Sequence, residues 1–495
     1  MKKQQPNTNM PGGPRFLGRH RFLPLLPFAI FASFAVPVVL GLLGGCSGKP
    51  AASTTDKLVI YSPHSDEIEQ EFQAAFIPWY RAETGREVEL SWPDVGGTTQ
   101  IIRRIQDKFV AGRYDVDLVF GGGPIFDRMK QLGFLQPCPL PREVLAALPN
   151  SVAGQPLYDP DFTWYGAAIS TFGLIYNKKM IADRGLPQPE SWDVMADPKY
   201  FGLVGAADAT KSGSIRKAYE IILQAYGYER GMSILVRMGA NAREFSEGAS
   251  DVPRLCAQGF VAVGACIDFY AQRQMLAEGG ENVGFVSPKG LTVINCDPIG
   301  VLKNAPDRAV AEKFVEFVMS PAGQRLWMTP AGTPGGPQKH ALERLSVLPR
   351  LYAPGAGTRF AMNPFEMPPA DFYDAAKETA RLTILPDYLR AALVDNYKPL
   401  REAWRAIIAA GLPADLVAEL VQPLITEDEM QRLGRDLWTP IQAPEGASAE
   451  VRAELARKEE SRLREQSDRL TEWTRTLRER YERLAQTAAR RSATR

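Results

Sequence analysis

Short apolar runs alternate along this chain with longer stretches in which apolar residues recur every three or four positions. Residues 58–61, LVIY, form the first such run and predict a buried strand, and residues 65–81 follow with the spacing of a helix. The same succession recurs at 88–92 with 101–109, and at 117–120 with 125–132. Three strand–loop–helix units in a row favour the α/β class, with a mostly parallel sheet covered on both faces.

The loop between each predicted strand and its helix is polar or rich in glycine. These loops are residues 62–65, SPHS, residues 96–99, GGTT, and residues 121–124, GGGP. All three fall at one end of the predicted sheet, where open α/β sheets bind ligands and helix N-termini offer N–H groups to anions. We expect a solute site there, although glycine and threonine also serve simply as turns and helix caps.

A second set of strands and helices begins near Trp164. A strand around 202–206 leads through the polar loop 210–214, TKSGS, into a helix, and a long apolar strand at 260–267 ends in DFY at 268–270. The chain therefore contains two strand–helix systems, each with polar loops that could face the other. Ligands prefer clefts of this kind.

The N-terminal segment predicts export and membrane attachment. Basic residues precede an almost uninterrupted apolar run over 22–43, and LGGCS at 43–47 resembles the bacterial lipobox. That resemblance implies a lipoprotein signal at 1–46, a lipid on the Cys46 thiol and a tether at 47–56 that holds the chain on the extracytoplasmic side of the cell envelope. The run is also long enough for an uncleaved anchor, so that alternative stays open.

Composition and charge narrow the range of functions that the chain could have. The 495 residues are 45% hydrophobic with a net charge of +1, which predicts a large core and no overall field that would attract nucleic acid. Beyond the signal the only histidines are His64 and His340, and no GxSxG, HExxH or GxxxxGK[ST] sequence occurs. We therefore expect no enzyme and no cofactor, with a hydrolase or a structural envelope protein as less favoured alternatives.

Four cysteines follow the signal, and none forms a CxxC pair. Outside the cytoplasm they can form disulfides in three connectivities or remain free thiols, and both alternatives stay open for Cys138, Cys256, Cys266 and Cys296.

Two longer stretches carry a family resemblance. IYNKKMIADRGLPQPESWDVMADPKYFGLVGAADATKSGS at 175–214 and AEKFVEFVMSPAGQRLWMTPAGTPGG at 311–336 resemble the bacterial extracellular solute-binding proteins of the iron(III) and phosphorylated-solute group. The resemblance implies a type 2 periplasmic-binding-protein fold, in which two α/β lobes joined by crossing strands close on a solute. It also implies that ABC permease subunits receive the solute. Carried over, lobe 1 is 57–165 plus 293–345 and lobe 2 is 166–292.

The C-terminal part of the chain lies outside that resemblance. Residues 346–445 show apolar stripes at helical spacing and are expected to pack on the lobes as helices. Residues 446–495 are rich in Ala, Glu and Arg with acid-before-base pairs at i,i+4, which predicts a charged helix. A leucine recurs every seven residues in it, and this stripe is expected to contact the main body or a partner: Leu463, Leu470, Leu477 and Leu484.

The first candidate ligand is an anionic solute that bears a phosphate, phosphonate or carboxylate group. Helix starts would supply N–H groups, serine and threonine hydroxyls, and Lys211 a positive charge. Asp268 would accept a hydrogen bond from a hydroxyl or amine elsewhere on the solute, because an unpaired carboxylate beside an anion is costly. The predicted ligand-binding residues are Ser62, His64, Ser65, Gly97, Thr98, Lys211, Ser212, Gly213, Ser214, Asp268 and Tyr270.

The second candidate ligand is Fe(III), a hard cation that prefers phenolate and carboxylate oxygens and accepts an imidazole. The family resemblance implies two adjacent tyrosines at the end of the strand at 260–267, and this chain has only one. Its metal ligands would be His64, Asp268 and Tyr270.

Overall fold

The structure is a computed structural model that describes residues 55–123, 125–277, 281–359, 362–441, 443–444 and 447–493. The apolar N-terminal run and Cys46 lie outside these residues, so the lipid anchor stays a prediction. Within them, no helix has the length and apolar character needed to cross a membrane. The four cysteines that follow the signal are free thiols.

Eleven strands occur in the described residues. They are β1 (Asp56–Tyr61), β2 (Val88–Ser91), β3 (Leu118–Phe120), β4 (Ser151–Val152), β5 (Gln155–Pro156), β6 (Tyr165–Asn177), β7 (Val204–Ala207), β8 (Ala242–Ser246), β9 (Val263–Ile267), β10 (Val283–Val286) and β11 (Ile294–Val301). Nine of them form one sheet in the order β2-β1-β3-β11-β6-β9-β7-β8 with β10 paired to β6, and β4 and β5 form a separate hairpin.

Seventeen α-helices occur in the same residues. They are α1 (Asp66–Thr84), α2 (Thr98–Val110), α3 (Ile125–Gln131), α4 (Arg142–Leu145), α5 (Lys178–Arg184), α6 (Gly213–Tyr226), α7 (Tyr228–Asn241), α8 (Asp251–Ala257), α9 (Asp268–Ala277), α10 (Arg308–Met319), α11 (Pro321–Met328), α12 (Ala375–Arg381), α13 (Ile384–Leu389), α14 (Tyr397–Ala409), α15 (Ala414–Val421), α16 (Glu427–Asp436) and α17 (Ala449–Ala493).

Lobe 1 is built around β1, which pairs in parallel with β2 and β3. Successive side chains of a strand point to opposite faces, so Leu58 packs with α1, α10 and α11 while Tyr61 packs with α2 and α3. The three strand–helix units predicted from the sequence are therefore present. The sheet is mixed rather than mostly parallel, because β11 joins β3 in antiparallel orientation. Pro298 and the bulge beside it make β11 hard to recognise as a strand from the sequence.

Strand β6 connects the two lobes. Its first half, Tyr165–Thr171, pairs with β11 in lobe 1, and its second half, from Phe172 to Tyr176, pairs with β9 in lobe 2. One continuous strand of 13 residues thus passes from lobe 1 into lobe 2. The chain returns from lobe 2 to lobe 1 through the segment that leads into β11. This is the two-lobed architecture expected from the family resemblance.

Lobe 2 contains β7 in parallel pairing with β8 and β9, with α5–α9 around them. Its core includes Val204 on β7, Ile222 on α6 and Leu235 on α7, all fully buried. The strand expected at 260–267 begins only at Val263, and Phe260 before it is exposed. Helix α6 begins at Gly213, inside the predicted polar loop at 210–214, and its first residue lies against Thr98 of lobe 1.

The C-terminal part divides between the two lobes. Residues 347–352 join the lobe 1 core, whereas helices α12–α17, which we call the C-terminal helices (residues 375–493), share a core with lobe 2. On α17, Leu477 and Leu484 are buried in that core and Leu463 is 49% exposed. The leucine stripe therefore packs, over its second half, on the chain's own lobe 2.

Candidate functional site

A cavity of about 240 Å³ lies between the two lobes. Loops from both sides line it: the loop after β1, the starts of α2 and α6, and the segment around β11. Nine of the eleven residues predicted to bind ligand line this cavity, namely His64, Ser65, Gly97, Thr98, Lys211, Ser212, Gly213, Ser214 and Tyr270. The structure thus brings these residues together, and their contact with a solute stays a prediction.

Ser62 and Asp268 do not line the cavity. The Ser62 hydroxyl accepts a hydrogen bond from the His64 backbone N–H at 3.1 Å and so shapes the turn after β1. The Asp268 carboxylate accepts from the backbone N–H groups of Thr171 at 3.0 Å and Phe269 at 2.8 Å. Asp268 therefore ties the crossing strand β6 to the start of α9, and its expected contact with the solute is not supported.

Burial sets the protonation of Asp268. Desolvation raises the pKa of its carboxyl group to about 7, and the hydrogen bond from the Thr171 N–H opposes this only in part. The sequence places Asp268 at a strand end, where a side chain often faces a ligand. Here the carboxylate instead satisfies backbone donors at the junction of the lobes.

The N-termini of α2 and α6 approach each other across the cleft. A Cβ atom added at Gly97 would lie 3.2 Å from the Lys211 carbonyl oxygen, and one at Gly213 would lie 3.0 Å from Thr98 Oγ1. The two glycines therefore allow a close contact between the lobes. A further interlobe contact joins Arg273 Nη1 to Glu67 Oε2 at 3.6 Å, and the cleft is closed in this structure.

These two helix starts form an electropositive corner of the cavity. Gly97 precedes α2 and has no side chain to cap it, while the Ser212 hydroxyl accepts from the Ile215 N–H at 3.3 Å at the start of α6. The first turn of each helix carries N–H groups without intrahelical partners and the positive end of the helix dipole. Lys211 adds a cation beside them.

The opposite wall contains a hydrogen-bonded network that the sequence reasoning missed. Asp297 Oδ2 contacts His64 Nε2 at 2.8 Å and accepts from Arg344 Nη1 at 2.6 Å, and Asp297 Oδ1 accepts from the Gly122 N–H at 2.7 Å. Arg344 Nη2 also donates to Ser170 Oγ at 3.0 Å, and its guanidinium lies 4.6 Å from the ring centroid of Phe269 in lobe 2.

The network contains one carboxylate, one guanidinium and a neutral imidazole. Desolvation opposes ionisation of Asp297, but the charge of Arg344 and the contact with His64 outweigh it and lower the Asp297 pKa. Desolvation also lowers the His64 pKa, against the raising effect of Asp297. Since Asp297 is ionised and only accepts, we assign the imidazole proton to Nε2, which leaves Nδ1 as an acceptor. Arg344 Nη1 also lies 3.1 Å from Nε2, and in this assignment it donates to the nearer Asp297 Oδ2 rather than to the imidazole. His64 Nδ1 and Arg344 Nε are buried and have no hydrogen-bond partner among the described residues.

Lys217 is the other lining cation that the sequence reasoning missed. It lies one turn into α6, and its Nζ contacts Glu378 Oε2 and donates to Tyr373 Oη, both at 2.7 Å. Burial opposes ionisation of Glu378, but Lys217 and then Arg216 lower its pKa. The cavity wall in lobe 2 is thus linked to the C-terminal helices.

The arrangement gives limited support to a metal site. No group of three or more His, Cys, Asp or Glu side chains with metal-binding geometry occurs in the part of the chain that the structure describes. Of the expected set, His64 and Tyr270 line the cavity and Asp268 does not. Desolvation raises the Tyr270 pKa, which disfavours the phenolate that Fe(III) prefers.

Comparison with known proteins agrees with this fold. The profile of the family described as "Bacterial extracellular solute-binding protein" matches residues 115–346. The phosphoglycerate transport regulatory protein PgtC of Salmonella typhimurium is 25% identical over 307 residues, 61% of this chain and 70% of that protein. The iron uptake protein A1 of Synechocystis sp. is 26% identical over 325 residues, 62% of this chain and 84% of that protein.

The fold is also that of solved periplasmic binding proteins. The structure of AfuA from Actinobacillus pleuropneumoniae, with exogenous fructose-6-phosphate bound, matches with a TM-score of 0.50 and 18% identity, over 64% of this chain and 95% of that chain. Residues 115–346 thus resemble the bacterial extracellular solute-binding proteins, as the sequence motifs indicated, and the two-lobed α/β fold is that of periplasmic binding proteins.

Proposed function

We propose that this chain binds an anionic solute, one that carries a phosphate, phosphonate or carboxylate group, in the cavity between its lobes. The observation that carries this proposal is the meeting of two helix N-termini, of α2 and α6, across the closed cleft. Helix N-termini bind anions because their N–H groups and their dipoles both favour negative charge. Two of them, one from each lobe, would stabilise the closed form only when an anion lies between them.

The charges around the cavity support the same class of solute. Among its described lining residues are three cations, Lys211, Lys217 and Arg344, and one carboxylate, Asp297. Asp297 is already paired with Arg344. An anion would therefore enter a site with excess positive charge rather than face an unpaired carboxylate.

A second part of the solute would lie against the lobe 1 wall. His64 Nδ1 is a buried acceptor without a partner among the described residues, and we propose that a hydroxyl or amine on the solute donates to it. This gives His64 the acceptor role that the sequence suggested for Asp268. A sugar phosphate, a phosphorylated hydroxy acid or an aminophosphonate has both groups. The relative named for phosphoglycerate transport and the structure with fructose-6-phosphate support this class.

In this proposal the chain acts as an extracytoplasmic receptor that is tethered through lipid on Cys46 and delivers its solute to an ABC permease. The LGGCS sequence supports the tether, and the family supports the permease. We propose no catalytic role and no role for nucleic acid.

Fe(III) is the second candidate, favoured by the similarity to an iron uptake protein. His64 and Tyr270 would be its ligands from this chain, and a partner anion such as citrate would have to complete the coordination. Asp268 would not contribute, since both its oxygens serve backbone N–H groups.

A thermal-shift screen of the full chain tests the proposal. The probes are inorganic phosphate, fructose 6-phosphate, 2-aminoethylphosphonate and ferric citrate. An anion at one hundred times its dissociation constant should stabilise the protein by about 2.7 kcal/mol. If ferric citrate alone stabilises the protein, and a visible tyrosinate-to-iron absorption accompanies it, the solute is Fe(III) and not an organic or inorganic anion.

The lipid tether is tested by labelling with a radioactive fatty acid. Labelling that is retained in Cys46→Ala would contradict a lipid on Cys46.

A further inference from the structure

The C-terminal helices hold two elements of the lobe 2 wall from behind. These helices follow the region matched by the family, and they reach the wall at separate points on either side of the N-terminus of α6. We propose that Glu378 and Arg390 of these helices, together with Tyr373 just before α12, are positioning residues for the solute cavity, so that the C-terminal helices are a working part of the solute site. The expected effect on affinity rests on the proposed function, whereas the effect on the wall itself does not.

The first point of support is Lys217. Its ammonium group is buried, and its two side-chain partners, Glu378 and Tyr373, lie more than 150 positions away in sequence. A buried ammonium group needs a partner of opposite charge, or it loses its proton or turns toward water. Glu378 therefore holds the Lys217 ammonium group in the cavity wall, and the Tyr373 ring, whose centroid is 4.3 Å from Lys217 Nζ, limits its rotamers.

The second point of support is Asp208, at the start of the turn that leads into α6. Its Oδ1 accepts from the backbone N–H of Thr210 at 2.9 Å, and its backbone carbonyl accepts from the Lys211 N–H at 3.0 Å. Its Oδ2 accepts from Arg390 Nη1 at 2.6 Å. Asp208 thus fixes the turn that presents Lys211 and the Ser212 cap, and Arg390 fixes Asp208 from the C-terminal helices.

The two supports act on one structural unit. Asp208 holds the turn before the first residue of α6, and Lys217 lies one turn after it. The N-terminus between them is the part of lobe 2 that faces Gly97 and Thr98 in the closed cleft. Loss of either support should therefore loosen the helix start that the solute anion would contact.

Hydrogen exchange of the full chain without solute tests the positioning directly. We expect the amides of 208–214 to exchange about tenfold faster in Glu378→Gln and Arg390→Gln, less so in Tyr373→Phe, and at the wild-type rate in Arg390→Lys, which keeps the charge. Arg390 is partly exposed, so its variants fold even if Glu378→Gln does not.

Glu220→Gln is the matched control. Glu220 is as buried as Glu378, pairs with Arg381 of the C-terminal helices and does not line the cavity. It should change stability without faster exchange at 208–214. Unchanged exchange at 208–214 in Arg390→Gln and Tyr373→Phe, or an equal change in Glu220→Gln, would overturn the positioning role.

Titration with fructose 6-phosphate and inorganic phosphate then tests the consequence for binding. We expect affinity to fall about fivefold in Arg390→Gln and to return in Arg390→Lys. Faster hydrogen exchange with unchanged affinity would show that the supports do not affect solute binding. The proposal that the solute is an anion would not be affected by that result. A wild-type chain that binds neither probe would count against the proposed solute class, and the exchange rates would still decide the positioning role.

Discussion

The two walls of the cavity are held in place in different ways. In lobe 1, His64, Asp297 and Arg344 pair with one another, and all three belong to the same lobe. In lobe 2, the turn at 208–211 and Lys217 pair with residues of the C-terminal helices. The lobe 1 wall is thus held by hydrogen bonds within its own lobe, whereas the lobe 2 wall is held by residues outside the lobe. The two walls should therefore respond differently to substitutions, and four predictions test that difference.

The largest effect is expected from Arg344→Met, which breaks the lobe 1 network from within. It leaves the ionised Asp297 buried without its guanidinium partner, and breaking a buried pair of this kind costs about 3–5 kcal/mol. Urea unfolding of the full chain measures the loss. The double variant Arg344→Met/Asp297→Asn should recover part of it, because the unpaired charge is gone. A loss below about 1 kcal/mol in the single variant would contradict a self-contained wall.

The next effect concerns the attachment of the C-terminal helices to lobe 2. Leu484→Ala removes a side chain that is 1% exposed and should destabilise lobe 2 by about 2–5 kcal/mol. Leu463→Ala changes the same residue type on the same helix at 49% exposure and should cost within about 0.5 kcal/mol. Hydrogen exchange localises the loss to lobe 2. Equal costs for both variants would mean that α17 does not pack on lobe 2 in solution.

A smaller effect is expected where the two walls meet. Gly97→Val places atoms against the Lys211 carbonyl oxygen only when the cleft is closed. Solute affinity should fall about tenfold, which is about 1.4 kcal/mol, with little change in the melting temperature of the solute-free protein. Ala111→Val at the exposed end of α2 is the control. Equal affinity in both variants, measured by isothermal titration, would argue against closure at these glycines.

The last effect concerns the pH dependence of stability that arises from Asp268, at the junction of the lobes. Its folded-state pKa is raised from 3.8 to about 7, so between these values the folded chain holds a proton that the unfolded chain has lost. Wild-type stability should therefore fall as pH rises through this window, by at most about 1.4 kcal/mol per pH unit. Asp268→Asn should abolish this contribution, so its stability relative to wild type should rise from pH 5 to pH 8. A constant difference across this range would mean that Asp268 titrates normally.

Much of the fold follows from local patterns in the sequence. The apolar run of β1 and the helical spacing of Phe72 and Phe76 define a strand and a helix without knowledge of the rest of the chain. The polar helix start at Ser212–Ser214 is local as well, because glycine and serine there satisfy needs of the backbone. Such features locate the cavity.

The chemistry of the cavity follows from pairings that sequence patterns do not encode. Asp297 lies 233 positions from His64 and 47 from Arg344, and no spacing rule links them. No sequence motif marks Arg344 as part of a site. Asp268 shows the reverse error, because its position at a strand end is correct but its oxygens are used by backbone N–H groups. The apolar stripes of the C-terminal helices predict that one face of each helix is buried. They do not indicate which part of the chain covers that face.

The most direct test of the central claim is isothermal titration of the full chain with matched pairs of solutes. Each phosphorylated compound is measured beside its uncharged parent, beginning with fructose 6-phosphate and fructose. If two helix N-termini close on an anion, at least one phosphorylated, phosphonate or carboxylate solute should bind and its uncharged parent should not. Equal binding of an uncharged parent, or binding of ferric citrate with none of the anions, would contradict it.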